Sequence, residues 1–186
     1  ILTNSHSQTE NNMNTVSITS DNFLPALLAP FGGKDTHNAE GEALPSSTSK
    51  AWSFTLHNTD RNTHLTFKAR RPRGWTVNSP VLIDLMVGKD NESDFGFIGS
   101  VNTRGFFKAS PKSKVSEDRK VVADRTLVWL LTKINNGVEL PDALEIKGAS
   151  KCCRCAKKLT NPESVDDGMG PVCRKKASSS KVSRGV

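Results

Sequence analysis

The sequence predicts an α+β protein: a small, mostly antiparallel sheet with one main covering helix, followed by a C-terminal zinc-knuckle or treble-clef-like module. Three observations predict it. Short segments between Trp52 and Lys108 alternate apolar and polar side chains, which is the two-residue period of half-buried strands. The stretch from Ser116 to Gly137 instead repeats its apolar residues at helical spacing. All four cysteines fall between Cys152 and Cys173, at the spacing of metal ligands rather than of a disulfide framework.

Residues 1–50 are rich in Asn, Ser, Thr and Gln and carry two basic and five acidic side chains. Such a stretch buries too little apolar surface to offset the entropy of ordering, so it is expected to be a disordered polar segment. One apolar island interrupts it, Asp21 to Phe31, ended by Gly32 and Gly33. Two readings stand for the island: a peptide that docks in a partner's groove, with Phe23 and Leu27 as anchors, or a segment packed loosely on its own domain.

From Trp52 the pattern changes. Trp52, Phe54 and Leu56 alternate with Ser53 and Thr55, the cluster Thr59-Asp60-Arg61-Asn62 reads as a turn, and Leu65 and Phe67 alternate in return. This is the signature of an antiparallel hairpin. Val81 to Val87 is a central strand in which Asp84 is expected to face the surface. Phe95 to Val101 and Arg104 to Lys108 are two more strands, joined at Asn102-Thr103. Ser116 caps the helix, with Glu117 and Asp118 in its positive first turn. Val121, Leu127, Val128, Leu130, Leu131 and Ile134 form its apolar side, Gly137 stops it and Pro141 forbids continuation. Leu144 to Lys147 adds a last short strand. The expected organisation is a polar segment 1–50, an α+β domain 51–148, a zinc-binding module 149–176 and a disordered basic tail 177–186.

Cys152 and Cys155 have the two-residue gap that lets a tight turn aim two thiolates at one metal, and Cys173 supplies a third. A closed zinc site takes four ligands. The fourth is Cys153 if the knuckle rearranges, or a water. The position three residues after Cys173 is Lys176, and Asp166, Asp167, His57 and His64 are weaker alternatives. Leu159, Pro162, Val165, Met169 and Val172 are expected to cover the metal and dock the module on the sheet, with Thr160, Asn161 and Ser164 capping turns.

Net charge is +7, and residues 151–186 hold nine basic against three acidic side chains. Lys151, Arg154, Lys157, Lys158, Arg174, Lys175 and Lys176 surround the cysteines, a cluster that attracts polyanions through counterion release. A second patch, Lys68, Arg70, Arg71 and Arg73, lies beside Trp75. Asp90, Glu92 and Asp94 fall on alternate residues, as a solvated turn or a site for a hard cation would. No serine–histidine–acid set stands out. No apolar run approaches the roughly 20 residues of a membrane span, and clustered thiols fit a reducing, cytoplasmic compartment. The chain starts at Ile1 rather than Met, as a processed or partial product does.

Cys152-x2-Cys155, Lys158-Leu159-Thr160-x-Pro162-Glu163-Ser164 and Gly168-x-Gly170-Pro171-x-Cys173 together resemble the C-terminal zinc-binding motif of a group of phage and actinobacterial proteins, a domain of unknown function. Val87 to Phe95 resembles the "GxDNxSDY" turn that precedes this motif in the same group. The resemblance implies a small phage or prophage protein, acting in the host cytoplasm, with a bound metal and no assigned reaction. The reading of the sequence is therefore a non-enzymatic, zinc-stabilised accessory protein that binds nucleic acid through its basic C-terminal face. A protein-binding module and a metal-dependent enzyme acting on nucleic acid are the alternatives.

Overall fold

The structure is a computed structural model that describes residues 18–28, 51–71, 78–152, 154–155 and 157–182, with side chains to Lys176. Strands β1 (Ala51–Asn58) and β2 (Thr63–Arg70) form the expected hairpin. Its turn is held by the Arg61 N–H, which donates to Asn58 Oδ1 at 2.9 Å, and by Asn62 at φ 47°, a conformation Asn tolerates better than most residues. Strands β3 (Val81–Met86), β4 (Phe95–Val101), β5 (Phe107–Ala109) and β6 (Leu144–Gly148) complete a sheet in the order β5-β4-β3-β2-β1-β6, with all neighbours antiparallel. The last of the meander strands is shorter than the sequence suggests. Asn102 Oδ1 accepts the N–H groups of Arg104 and Phe106, and Gly105 adopts φ 78°, so the connection extends to Phe106 before β5 begins.

Register decides which side chains share a face, because directly opposite residues point the same way. Phe54 faces Phe67, Phe67 faces Leu85, Ala69 faces Ile83, and Leu56 faces Ile146. All of these are buried, and they form the apolar face. Helix α1 (Ser20–Leu28) and helix α2 (Glu117–Asn135) contribute to the same core. From α2 come Ala123, Leu127, Leu130 and Leu131, with Ile134 partly buried beside them. Val128 belongs to the expected apolar set but is 48% exposed, because it lies about 100° round the helix from Leu127. Ser116 makes no side-chain cap. The far end behaves as expected: Gly137 at φ 62° donates its N–H to Ile134 O, and Val138 N–H returns to Lys133 O, which is a Schellman stop.

Helix α1 corrects the reading of residues 1–50 as disordered, for the stretch it covers. Phe23 and Leu27 are 0% and 1% exposed, so they are core residues and not free anchors for a partner. Phe23 meets Phe54 edge-on at 5.0 Å and Trp52 at 5.9 Å between ring centroids. At the start of the helix Asn22 Oδ1 accepts the Thr19 N–H at 2.8 Å, which is the return bond of a capping box. The rest of 1–50, and the loop containing Arg73 and Trp75, lie outside the described residues. Among the described residues no helix is long and apolar enough to cross a membrane.

The opposite face of the sheet is polar yet covered. Ser53, Thr55, Thr66 and Asp84 are all buried. Asp84 is therefore not a surface carboxylate: Arg70 donates to it from Nε at 2.6 Å and from Nη2 at 3.1 Å. What covers this face is the C-terminal segment.

Truncating Phe23 to Ala is expected to cost about 3–5 kcal/mol, the usual loss for a buried aromatic. Urea denaturation measures it; unchanged stability would show that α1 is not part of the cooperative unit.

Candidate metal centre

Strands β7 (Ser150–Lys151) and β8 (Lys158–Leu159) make a short hairpin, with Ser150 opposite Leu159 and Lys151 opposite Lys158. The Cys152 N–H donates to Lys157 O at 2.8 Å and closes its end. The knuckle Cys152–Cys155 is thus the tip of a hairpin. After β8 comes the single-turn helix α3 (Pro162–Asp166), capped by Asn161, whose side chain accepts the Ser164 N–H. Gly168 at φ 62° then reverses the chain into helix α4 (Pro171–Val182). Proline suits the first position of a helix, where its missing N–H is not needed. Cys173 follows in that first turn. Helix α4 continues to Val182, so the tail expected from 177 is helical in its first six residues.

This path brings the sulfurs of Cys152, Cys155 and Cys173 within 4.8 Å of one another. A tetrahedral ion with bonds of about 2.3 Å would set its sulfurs roughly 3.8 Å apart, so the three can hold a metal ion with small adjustments. The backbone is already arranged for charge on sulfur. Cys152 Sγ accepts N–H groups from Gly170, Arg154 and Cys155, in decreasing order of effect, and these bring its thiol down to about 6. Cys173 is pushed up to about 11, first by the hydrogen bond it shares with Cys155, then by burial and by Cys152. Backbone donors thus favour charge on Cys152, and the neighbouring sulfurs disfavour it on Cys173. A bound dication would displace thiol protons. Thiolate ligands are the donors that soft and borderline metals prefer.

Among the described residues no His, Asp or Glu joins the three cysteines. Asp166 binds Lys147 Nζ at 2.7 Å, and Asp167 pairs with Arg174. His57 bonds Glu145 at 3.0 Å and stands opposite His64 in the β1–β2 hairpin. Asp166, Asp167 and His57 are thus engaged elsewhere in the fold, and His64 lies on β2 outside the cysteine cluster. Cys153 lies outside the described residues.

The module is seated by polar contacts together with part of the apolar set the sequence suggests, Val165 and Met169 being half-buried. Leu159 and Pro162 are buried, but Val172 is 65% exposed. Thr160 does not cap a turn. Its carbonyl accepts the buried Thr55 hydroxyl at 2.8 Å, and its own hydroxyl pairs with Asn91 Oδ1 at 2.9 Å. Asn91 Nδ2 donates back to Lys158 O at 3.0 Å. Asn91 thus clamps the edge of β8, a role its place between acidic residues conceals in the sequence. The neighbouring carboxylates hold the turn itself. Asp90 Oδ1 accepts the N–H groups of Glu92 and Ser93, and Asp94 Oδ2 accepts the Asp90 N–H. The Ser93 and Glu92 N–H bonds also lower the Asp90 pKa. That is the geometry of a closed turn.

The seven cations proposed around the cysteines separate into two sets. Lys151, Arg154, Lys157, Lys175 and Lys176 are exposed. Arg174 is held by Glu163 at 2.6 Å and by Asp167, and Lys158 is turned inward onto Ser53 Oγ at 2.6 Å.

Residues 146–178 match the model of a family of unknown function, DUF6011. The match covers the end of β6, the hairpin, the knuckle, α3 and Cys173, so its limits coincide with the cysteine module rather than with the sheet. No curated protein and no solved structure matches the chain.

Replacing Asn91 with Ala is expected to cost about 1–3 kcal/mol, because it leaves the Lys158 carbonyl and the Thr160 hydroxyl without their partner. Amide hydrogen exchange of the 158–160 segment should accelerate more than that of β3. Equal protection in both variants would show that the clamp carries no load.

Proposed function

We propose that residues 149–176 are a structural zinc site that gives shape to a basic, nucleic-acid-binding face on a non-enzymatic accessory protein, of phage or prophage type. The observation that carries the reading is the convergence of three sulfurs on one point, with three backbone N–H groups aimed at Cys152. Zinc suits this donor set, and the fourth position falls to Cys153 or to a water. Bound metal would supply much of the folding free energy of a segment with few buried apolar side chains; structural zinc is worth about 10–16 kcal/mol in isolated fingers.

Five exposed cations come from elements that the sulfurs tie together: Lys151 from β7, Arg154 and Lys157 from the knuckle, Lys175 and Lys176 from α4. Fixing the knuckle against α4 would fix these charges as one surface. Point charges of this kind meet phosphates and do not read bases, so the binding is expected to be independent of sequence. Arg174 serves a different purpose in this reading, tying α4 to α3 through Glu163 and Asp167.

Elemental analysis is expected to give one zinc per chain, lost in Cys155→Ser. Fluorescence anisotropy with a duplex oligonucleotide should show log K falling with log salt at a slope of about −4.5 for five phosphate contacts. Changing Lys157, Lys175 and Lys176 together to Gln should reduce that slope by about 3. Affinity indifferent to salt and to these changes would exclude the nucleic-acid reading, and protein that binds no metal would exclude the zinc site.

A further inference from the structure

Two lysines at the seam between sheet and module form no direct ion pair among the described residues, although Asp84, Glu92 and Asp90 act on Lys68 through space and Glu92 acts on Lys158. Lys158 Nζ donates to Ser53 Oγ at 2.6 Å, and Ser53 is 2% exposed. Ser53 stands directly opposite Lys68 in the β1–β2 register, so the two ammonium groups are brought to neighbouring places on one face. Lys68 Nζ donates to the Glu92 carbonyl at 2.7 Å and lies 3.8 Å from the centroid of the Phe95 ring. Among the described residues neither lysine has a carboxylate within ion-pair distance. The buried carboxylate of this row, Asp84, is opposite Lys68 but is taken up by both arms of Arg70.

A half-buried cation costs free energy unless something compensates it. Burial is the first cause that lowers the pKa of both lysines, and Lys68 is the next for Lys158. An ammonium has three N–H donors, and here each gives one to the protein. The Ser53 hydroxyl accepts from Lys158 and keeps its own proton to donate. The two ammonium groups and the Ser53 hydroxyl therefore keep unused donors, with Glu92, Asp90 and the Arg70-bound Asp84 as the neighbouring acids. A tetrahedral oxyanion has the complementary chemistry: several acceptor oxygens and one or two negative charges, enough to bridge both ammonium groups.

We infer that Lys68, Lys158 and Ser53 form a phosphate-binding site where the cysteine module meets the sheet. It deepens the nucleic-acid reading and rests on it only for the source of the phosphate. The site would extend the binding surface from the knuckle onto the back of the sheet, and it would join the two parts of the molecule through the ligand.

The test uses the full, zinc-loaded chain and follows lysine ammonium resonances by ¹H–¹⁵N correlation, first with inorganic phosphate and then with a short oligothymidylate. Inorganic phosphate is expected to shift two resonances, identified by their loss in Lys68→Met and Lys158→Met. Each substitution should weaken phosphate binding about tenfold, as loss of one charged hydrogen bond does. If Lys158→Met disturbs the module, Lys68→Met and the unaltered protein still decide the matter. Phosphate shifts without oligonucleotide binding would keep this site and remove the nucleic-acid reading. Resonances of both lysines that stay in place with either probe would overturn the site, and oligonucleotide binding insensitive to Lys68→Met would do the same while leaving the nucleic-acid reading intact.

Discussion

Three sulfurs meeting at one point are the constraint on which the C-terminal module, residues 149–176, depends. Between Lys151 and Lys176 the buried apolar side chains are few, with Cys152 and Leu159 prominent among them. A hairpin of two-residue strands and a five-residue helix cannot form a core of their own. Holding the hairpin tip against the first turn of α4 therefore falls to the sulfurs and to the N–H groups that stabilise charge on Cys152. Backbone donors that favour charge on Cys152, beside a Cys173 where the neighbouring sulfurs disfavour it, mark the place where one dication would satisfy all three.

The sheet makes this arrangement useful by working on both faces. One face is apolar and is closed by α1 and α2 in the usual way of an α+β layer. The other carries Ser53, Thr55 and Thr66, whose hydroxyls would be costly to bury without partners. Thr66 pairs with Thr55, the module supplies partners for Thr55 and Ser53 through Thr160 and Lys158, and Asn91 grips it from the β3–β4 turn. Buried polar contacts fix position more sharply than apolar ones, since a shift of an ångström breaks them. The cysteine cluster is in this way held at a defined place against the sheet, with the exposed cations around it turned outward.

Much of this was legible in the sequence, and the rest was hidden for physical reasons. Strands β1 to β4, β6 and α2 follow from local periodicity, and Cys152, Cys155 and Cys173 from ligand spacing. The apolar island around Phe23 and Leu27 was legible, and of its two readings the one that packs it on its own domain holds; its helical form was hidden by its polar surroundings and by Pro25. Asp84 looked like a surface residue because a strand's alternation does not reveal what covers its second face. The roles of Asn91 and Thr160 depend on partners 69 residues apart, which no local pattern encodes. The same holds for Lys158, which composition counts as one more basic residue and the fold turns toward Ser53.

X-ray absorption at the metal edge tests the central claim most directly, because it counts the sulfurs around the ion without altering the protein. The account requires a first shell of three or four sulfurs at about 2.3 Å around a single zinc, with any remaining scatterer a light atom. A shell dominated by nitrogen or oxygen, or one with two sulfurs, would contradict it, since Cys173 would then not share an ion with Cys152 and Cys155.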